Sequence, residues 1–350
     1  MRENIITKSF QKNLTQFLKG KNYSRHFILT DDNTNEHCLP VLLNEIPALS
    51  SATVIRIYAG EEHKTLQAAE YVWKRLTEEK ADRNAVLINL GGGMVCDLGG
   101  FAASTFKRGI DFIHIPTTLL AQVDAAIGGK QGIDFLNYKN QIGVFKQPAA
   151  IFIHDEFLKT LPPEQITSGF AEVVKHALIA GGNFWKKVGS MENLTDVEWK
   201  EIVNESIEVK LSVVKKDPEE KNLRKVLNFG HTIGHAIESW LMNQKTETLH
   251  GHCVAAGIIG ELYLSEICCS LSPKKSKEAI DVIKKHFPEI HFSENDFDSL
   301  IELMKQDKKN ESGIIRMVLL HKFGSPMIDV EVDEVQIRDA LKFMIETNTK

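Results

Sequence analysis

The first half of the chain alternates short β-branched runs with helical patterns, and no other feature narrows the possible folds as much. The runs lie at Phe27–Thr30, Thr53–Tyr58, Ala85–Leu90, Asp111–Pro116 and Ala150–His154, with helical periodicity such as Thr65–Glu79 between them. Strands separated by helix-length segments pair in parallel and bury both faces under helices. After about Leu161 the texture changes. Pro162 and Pro163 punctuate the chain, and apolar residues then recur at helical spacing through Gln165–Ala180, Asp196–Lys216, His231–Met242, Val254–Ser270, Lys274–His286 and Phe297–Lys305. One late strand-like run, Gly313–Lys322, suggests a small sheet, and Met242–Thr248 reads as a surface loop. The expected fold is an α/β domain over residues 1–160 followed by a mainly α-helical domain over 161–350. At 350 residues the chain exceeds a typical single core, which agrees with two domains.

A formal net charge of -5 disfavours a dedicated nucleic-acid binder. No run approaches the roughly 20 apolar residues of a membrane span. The N-terminal stretch MRENIITKSFQKNLTQF lacks the apolar core of a secretory signal, so a cytoplasmic location is expected. Cys38, Cys96, Cys253, Cys268 and Cys269 fit neither a zinc knuckle nor a disulfide framework. Any metal would therefore take histidine and carboxylate ligands.

The apolar strand AVLINL runs into Gly91-Gly92-Gly93 and then a helix start. Such a turn lets backbone N–H groups and a helix dipole approach a phosphate, although the spacing is not the strict dinucleotide fingerprint and also suits a plain tight turn. Asp97 either caps that helix or faces a cofactor. Thr30-Asp31-Asp32-Asn33 and Gly60-Glu61-Glu62-His63-Lys64 also follow strands, where an acidic side chain can accept a ribose hydroxyl; singly, each reads as a solvated loop.

The helical half concentrates metal-competent residues. Glu172 and Lys175 share a helix face at i and i+3, and His231 and His235 do so at i and i+4 within GHTIGHAIE. His250 follows in LHGH. A glutamate with two histidines suits a catalytic divalent ion that keeps open positions. Two glycines in one helical turn, Gly230 and Gly234, would each cost about 1 kcal/mol relative to alanine, a cost that close approach of another backbone or a ligand would justify.

Taken together, GGGMVCDLGGFAASTFKRGIDFIHIPTTLLAQVDAAIGGKQGID, KNQIGVFKQP, FAEVVKHALI, NFGHTIGHAIE and LHGHCVAAG resemble the 3-dehydroquinate synthase family. The likeness is nearly continuous from Gly91 to about Ile179 and from Lys210 to about Gly260, and fainter to DKKN at 307–310. It implies a Rossmann-like NAD-binding domain, a helical domain for zinc and substrate, an active site in the cleft between them, and a homodimer. It implies that Glu172, His231 and His250 hold zinc, with cobalt a possible substitute, and that Lys175 and His235 face the substrate, His235 moving protons.

The family's substrate, 3-deoxy-D-arabino-heptulosonate 7-phosphate, carries a carboxylate and a phosphate. The resemblance assigns these to Lys130, Lys210, Arg224 and one of Lys308 or Lys309, with Asn140 and Asn228 as neutral donors. It places Asp124 near the reacting hydroxyls, and Arg108 at a position that reaches into the partner subunit. It gives the NAD contacts as Asp31, Asn33, Glu61, Lys64, Gly92, Gly93, Asp97, Thr117, Thr118, Lys139 and Thr160. The implied reaction oxidises a substrate hydroxyl with NAD, eliminates phosphate, returns the hydride, opens the ring and closes a carbocycle by aldol addition.

Two departures stand out. His252 occupies a position that is commonly glutamate, and could rival His250 as a ligand. Cys96 replaces a small residue and would crowd the glycine turn slightly. The alternatives are a sister cyclase of the 2-deoxy-scyllo-inosose or 2-epi-5-epi-valiolone synthase type, or a metal-dependent polyol dehydrogenase. Arg224 with Asn228 favours a substrate bearing a carboxylate.

Overall fold

The computed structural model describes residues 4–136, 138–305 and 314–348. The chain folds as two compact units, Met1–Pro162 and Pro163–Lys350. In the first, the order is β1 (Ile5–Ile6), α1 (Phe10–Lys21), β2 (His26–Thr30), α2 (Asp32–His37), α3 (Leu39–Glu45), β3 (Thr53–Arg56), α4 (Leu66–Glu78), β4 (Val86–Gly91), α5 (Gly93–Thr105), β5 (Asp111–Pro116), the hairpin β6 (Lys130–Phe135) and β7 (Tyr138–Phe145), and β8 (Ala150–Phe152).

Six strands form one sheet in the order β1-β8-β5-β4-β2-β3, every pair parallel. Side chains alternate across it, as the pleat requires. Phe27, Leu29, Leu87 and Phe112 join Val72 and Leu76 of α4 and Leu98 of α5 in one buried layer. Ile28, Ile88, Ile113 and Ile115 join Leu14 of α1 and Leu42 of α3 in the other. Both faces are therefore dry, which explains the unbroken apolar runs in the sequence.

Strand order decides where a ligand would go. From β2 the chain moves outward to β3, then returns to place β4 on the other side of β2 and continues to β5. In open α/β sheets the carboxyl ends of the two strands flanking such a reversal frame the binding crevice. Here those ends are Thr30-Asp31 and Gly91-Gly92.

The second unit runs α6 (Pro163–Ala180), α7 (Gly182–Gly189), α8 (Trp199–Val214), α9 (His231–Asn243), α10 (His250–Cys269), α11 (Pro273–His286), α12 (Phe297–Lys305), β9 (Ile315–Lys322), β10 (Ser325–Val332) and α13 (Glu334–Asn348). The small sheet expected near the C-terminus is an antiparallel β9–β10 hairpin. Helix α10 packs against α6, α9, α11, α13 and β9 and forms the axis of the unit. It corrects one expectation: by length and composition α10 is apolar enough to cross a membrane. Its apolarity has another cause, because two thirds of that span is buried in the unit. A helix enclosed by neighbours is apolar all round.

Candidate active site

In the second unit, Glu172 and Lys175 lie one turn apart on the buried face of α6, each 1% exposed. The Lys175 ammonium pairs with Glu172 Oε2. The other carboxylate oxygen, Oε1, faces two imidazoles, 3.4 Å from His231 Nε2 and 3.8 Å from His250 Nε2.

Both rings are oriented from behind. His231 Nδ1 lies 3.1 Å from the carbonyl oxygen of Phe229, which can only accept, so Nδ1 carries the proton and Nε2 presents its lone pair. His250 Nδ1 lies 3.2 Å from Glu238 Oε2, and donation to that carboxylate fixes the same tautomer. Burial lowers the His231 pKa, the Lys175 ammonium adds to this and Glu172 opposes it, so the imidazole is held neutral. His235, one turn along α9, stands edge-on to His231 at 5.1 Å between ring centroids. One ring nitrogen from each of His231, His235 and His250 lies within 4.8 Å of the others. The His231 and His250 rings, with their outer nitrogens tied and their Nε2 atoms converging near one carboxylate oxygen, are a donor set that fits a divalent metal ion.

The glycines beside these histidines depart from expectation. Gly230 is not inside the helix; it precedes α9 in the left-handed region, with φ 82°. Only Gly234 is helical, and a Cβ there would come within 2.9 Å of the Cys253 carbonyl oxygen on α10. The cost of glycine is thus incurred once, for close approach of two backbones.

His252 is not among these converging ring nitrogens and bonds the backbone of Glu164, and burial lowers its pKa. Lys210 is buried on α8. Arg224 is also buried; its Nη1 donates to the Pro218 carbonyl oxygen at 2.6 Å. The loop that carries it is shaped by Asp217, whose carboxylate accepts the backbone N–H groups of Lys221, Asn222 and Arg224 at 3.0, 2.7 and 3.0 Å. Those bonds outweigh the effect of burial and hold Asp217 below the usual carboxylate range. Asn228 Nδ2 donates to Glu220 at 2.8 Å. Lys308 and Lys309 lie outside the described residues. Sequence reasoning missed the buried acids Glu238 and Glu261; the signal available was a carboxylate on an otherwise apolar helix face.

In the first unit, Gly92 is the N-cap of α5 and brings no side chain to it. A Cβ on Gly92 would meet Thr118 Cγ2 at 3.1 Å and one on Gly93 would meet Ala125 at 3.2 Å, so the turn packs flat beneath the open helix end. Asp97 does not cap that helix, since it lies in its second turn; it pairs with Lys64 at 2.7 Å instead. Lys64 Nζ also reaches Asn140 Oδ1 at 2.7 Å and Glu61 at 3.5 Å. Burial acts to lower the Lys64 pKa, but Asp97 and Glu61 outweigh it and keep the ammonium above its ordinary range. Asn140 therefore uses its carbonyl oxygen on Lys64.

Asp31 is engaged as the N-cap of α2, accepting from Thr34 N at 2.7 Å, while Asn33 is exposed. Thr117 is buried after β5, and Thr118 Oγ1 accepts from Ala121 N at 3.1 Å. Asp124 sits half-buried on the π-helical turn Ala121–Ala125, a distortion frequent at functional sites. Lys130, Thr160 and Arg108 are exposed and Lys139 is half-buried. Cys96 does not crowd the turn, because its fully buried thiol points inward at the Gly91 carbonyl oxygen, 3.7 Å away.

A parallel α/β unit with a glycine turn at its switch point, followed by a helical unit carrying a carboxylate–histidine centre, is a fold shared with solved sugar-phosphate cyclases. The solved 2-deoxy-scyllo-inosose synthase complexed with carbaglucose-6-phosphate, NAD+ and Co2+ superposes with a TM-score of 0.84 at 24% identity, covering 98% of this chain and 96% of that one. The 2-epi-5-epi-valiolone synthase of Streptomyces hygroscopicus, solved with NAD+ and Zn2+, gives 0.83 at 22%, with 98% and 96% covered. Sequence narrows the class further. The model of the 3-dehydroquinate synthase N-terminal family matches residues 54–168, and that of the C-terminal family matches 169–310. A 3-dehydroquinate synthase of Parabacteroides distasonis is 44% identical over 345 residues, 98% of each chain, and one from a Sulfurovum species is 36% identical, covering 90% of this chain and 89% of its own. The chain belongs to the 3-dehydroquinate synthase family, and 3-dehydroquinate synthesis is the activity that membership gives it.

Proposed function

We propose that this chain converts 3-deoxy-D-arabino-heptulosonate 7-phosphate into 3-dehydroquinate and phosphate as a carbon–oxygen lyase, with NAD and a divalent metal ion as resident groups. The observation that carries the reading is the convergence of His231 Nε2 and His250 Nε2 on Glu172 Oε1, at 3.4 and 3.8 Å. Glu172, His231 and His250 would hold the ion, zinc or cobalt, since such a donor set accepts either. When bound, the ion supplies Lewis acidity to substrate hydroxyls, and NAD supplies a hydride acceptor that is restored within each turnover.

The chain's own residues supply binding, charge and proton transfer. His235 is half-buried beside His231 and is the group best placed in this unit to take a hydroxyl proton near neutral pH. Lys175, Lys210, Arg224 and Asn228 supply cationic and neutral donors for the substrate's carboxylate and phosphate. Arg224 is held ready by the Asp217 loop, as a buried cation recognising an anion requires. Asp31, Asn33, Glu61, Lys64, Gly92, Gly93, Asp97, Thr117, Thr118, Lys139 and Thr160 would hold NAD. The pyrophosphate would lie at the uncapped start of α5, where free N–H groups and the helix dipole favour an anion. Asp124, Lys130, Asn140 and Arg108 take their substrate-facing roles from the family alone. The same reading takes the protein to be a cytoplasmic homodimer.

Supplying the seven-carbon phosphate with catalytic NAD and following phosphate tests the proposal. Release without accumulation of NADH is expected, and Glu172→Ala is expected to lose both bound metal and turnover. Turnover confined to sugar phosphates without a carboxylate, or one NADH formed per substrate, would reject it.

A further inference from the structure

Glu261 plays no part in the roles above. It is fully buried on α10, eleven residues beyond His250, which places it three turns along the same face. Its Oε2 accepts the backbone N–H of Gly230 at 2.5 Å, and its Oε1 accepts those of Thr232 and Ile233 at 3.1 and 3.4 Å. These are orphan donors at the start of α9, where Gly230, the N-cap, has no side chain to satisfy them. A carboxylate from a neighbouring helix caps α9 in its place, and its charge suits the positive end of the dipole.

The N–H of Gly230 and the C=O of Phe229 belong to one planar peptide group. Glu261 holds its N–H end, and His231 Nδ1–H donates to its C=O end at 3.1 Å. Through that rigid plate the carboxylate both fixes the imidazole and polarises the carbonyl that accepts its proton. His250 receives the same service directly from Glu238. The contact has little slack, since a Cβ on Gly257, one turn before Glu261, would meet the Gly230 carbonyl oxygen at 2.1 Å.

We infer that Glu261 is a positioning residue for the metal centre, acting through the Phe229–Gly230 peptide to aim His231 Nε2 at the site it shares with His250. The inference rests on the metal reading of the proposed function. Glu261→Gln keeps the shape but replaces an acceptor oxygen and the charge with an N–H group facing N–H groups. In the full chain, stripped by chelator and titrated with Zn2+, this variant should bind about 10- to 100-fold more weakly, the loss expected when a ligand's outer partner is removed. The visible absorption of the Co2+-loaded chain should change with it. Ser265→Ala, one turn further on, removes the acceptor for Leu320 N and the donor to the Glu261 carbonyl oxygen but leaves the Glu261 carboxylate and its three acceptor bonds in place, so it serves as a structural control and should leave Zn2+ affinity and Co2+ absorption as in the parent.

A folded Glu261→Gln chain with parental affinity and spectrum overturns the inference. If that variant does not fold, Glu261→Asp decides by the same two readouts, its carboxylate drawn back by one methylene. If neither folds, Glu261 is a folding residue and the inference fails. A parent chain that binds no divalent ion removes the metal reading itself, an outcome distinct from the others.

Discussion

Two buried polar residues show how much one side chain can carry. His114 lies opposite Asn89 in the β4–β5 ladder, its Nδ1 3.2 Å from Asn89 Nδ2. Burial pushes its pKa down to about 3, with Gln131 opposing. In the unfolded chain the same imidazole titrates near 6.5, so between pH 6.5 and 3 the unfolded state binds the extra proton. The stability His114 contributes is complete above pH 6.5 and is lost as pH falls toward 3, by up to about 1.4 kcal/mol per unit. Urea midpoints at pH 7.5 and 5.5 should differ less in His114→Gln than in the parent; equal slopes would refute the argument. Lys64 and Asp97 give the second case. Removing Lys64 leaves the half-buried Asp97 carboxylate without its cation, so Lys64→Met should cost about 1–3 kcal/mol. Lys64→Met/Asp97→Asn should recover part of that loss, and strictly additive single costs would mean that the pair is not coupled.

At the scale of elements, the closeness of α9 and α10 depends on absent side chains. Gly257→Ala would drive a methyl group into the Gly230 carbonyl and should destabilise the chain by about 1–3 kcal/mol, the usual cost of overpacking. Gly20, inside α1, has open space where a methyl group would stand, with no neighbour within 4 Å, so Gly20→Ala should raise stability by about 0.5–1 kcal/mol. Thermal unfolding of the two variants reads the contrast, and equal shifts would rule out the packing argument. The same physics governs what the sequence made legible. Strands β2 to β5 and β8 stand out because both faces of their sheet are buried. The β6–β7 hairpin escapes notice because Gly132 and Gly143 pair across it, each too close to the opposite backbone for a side chain, and interrupt the apolar pattern. Strand β10 alternates Ile328, Val330 and Val332 with Asp329 and Glu331, but the alternation covers only its second half and bends at Asp329, with φ 55°. In the candidate site, helical spacing was enough to put Glu172 with Lys175 and His231 with His235 on shared faces. Glu238 and Glu261 receive no role from the sequence: an acid on an apolar helix face marks them as unusual, but only the packing of α9 against α10 reveals what they bind.

At the scale of the whole molecule, the two units bury different things. The first encloses its sheet in apolar layers, whereas the second closes its helices around Glu172, Lys175, Lys210, Arg224, His231, Glu238 and Glu261, all buried. Glu172, His231 and His250 come from three separate helices, so the donor atoms of this candidate site are brought together only by folding. A divalent ion that needs all three therefore binds the folded chain and stabilises it by mass action, about 2.7 kcal/mol when present at 100 times its dissociation constant. Trp185, Trp199 and Trp240 belong to the second unit and only Trp73 to the first, so tryptophan fluorescence chiefly reports the unit that holds the site. The chelator-stripped chain should unfold at lower urea than the same chain with Zn2+ restored, and the difference should grow with the logarithm of free Zn2+. In Glu172→Ala that dependence should vanish even where the variant is as stable as the stripped parent. A parent midpoint indifferent to Zn2+ would mean that the three ligands do not act as one site.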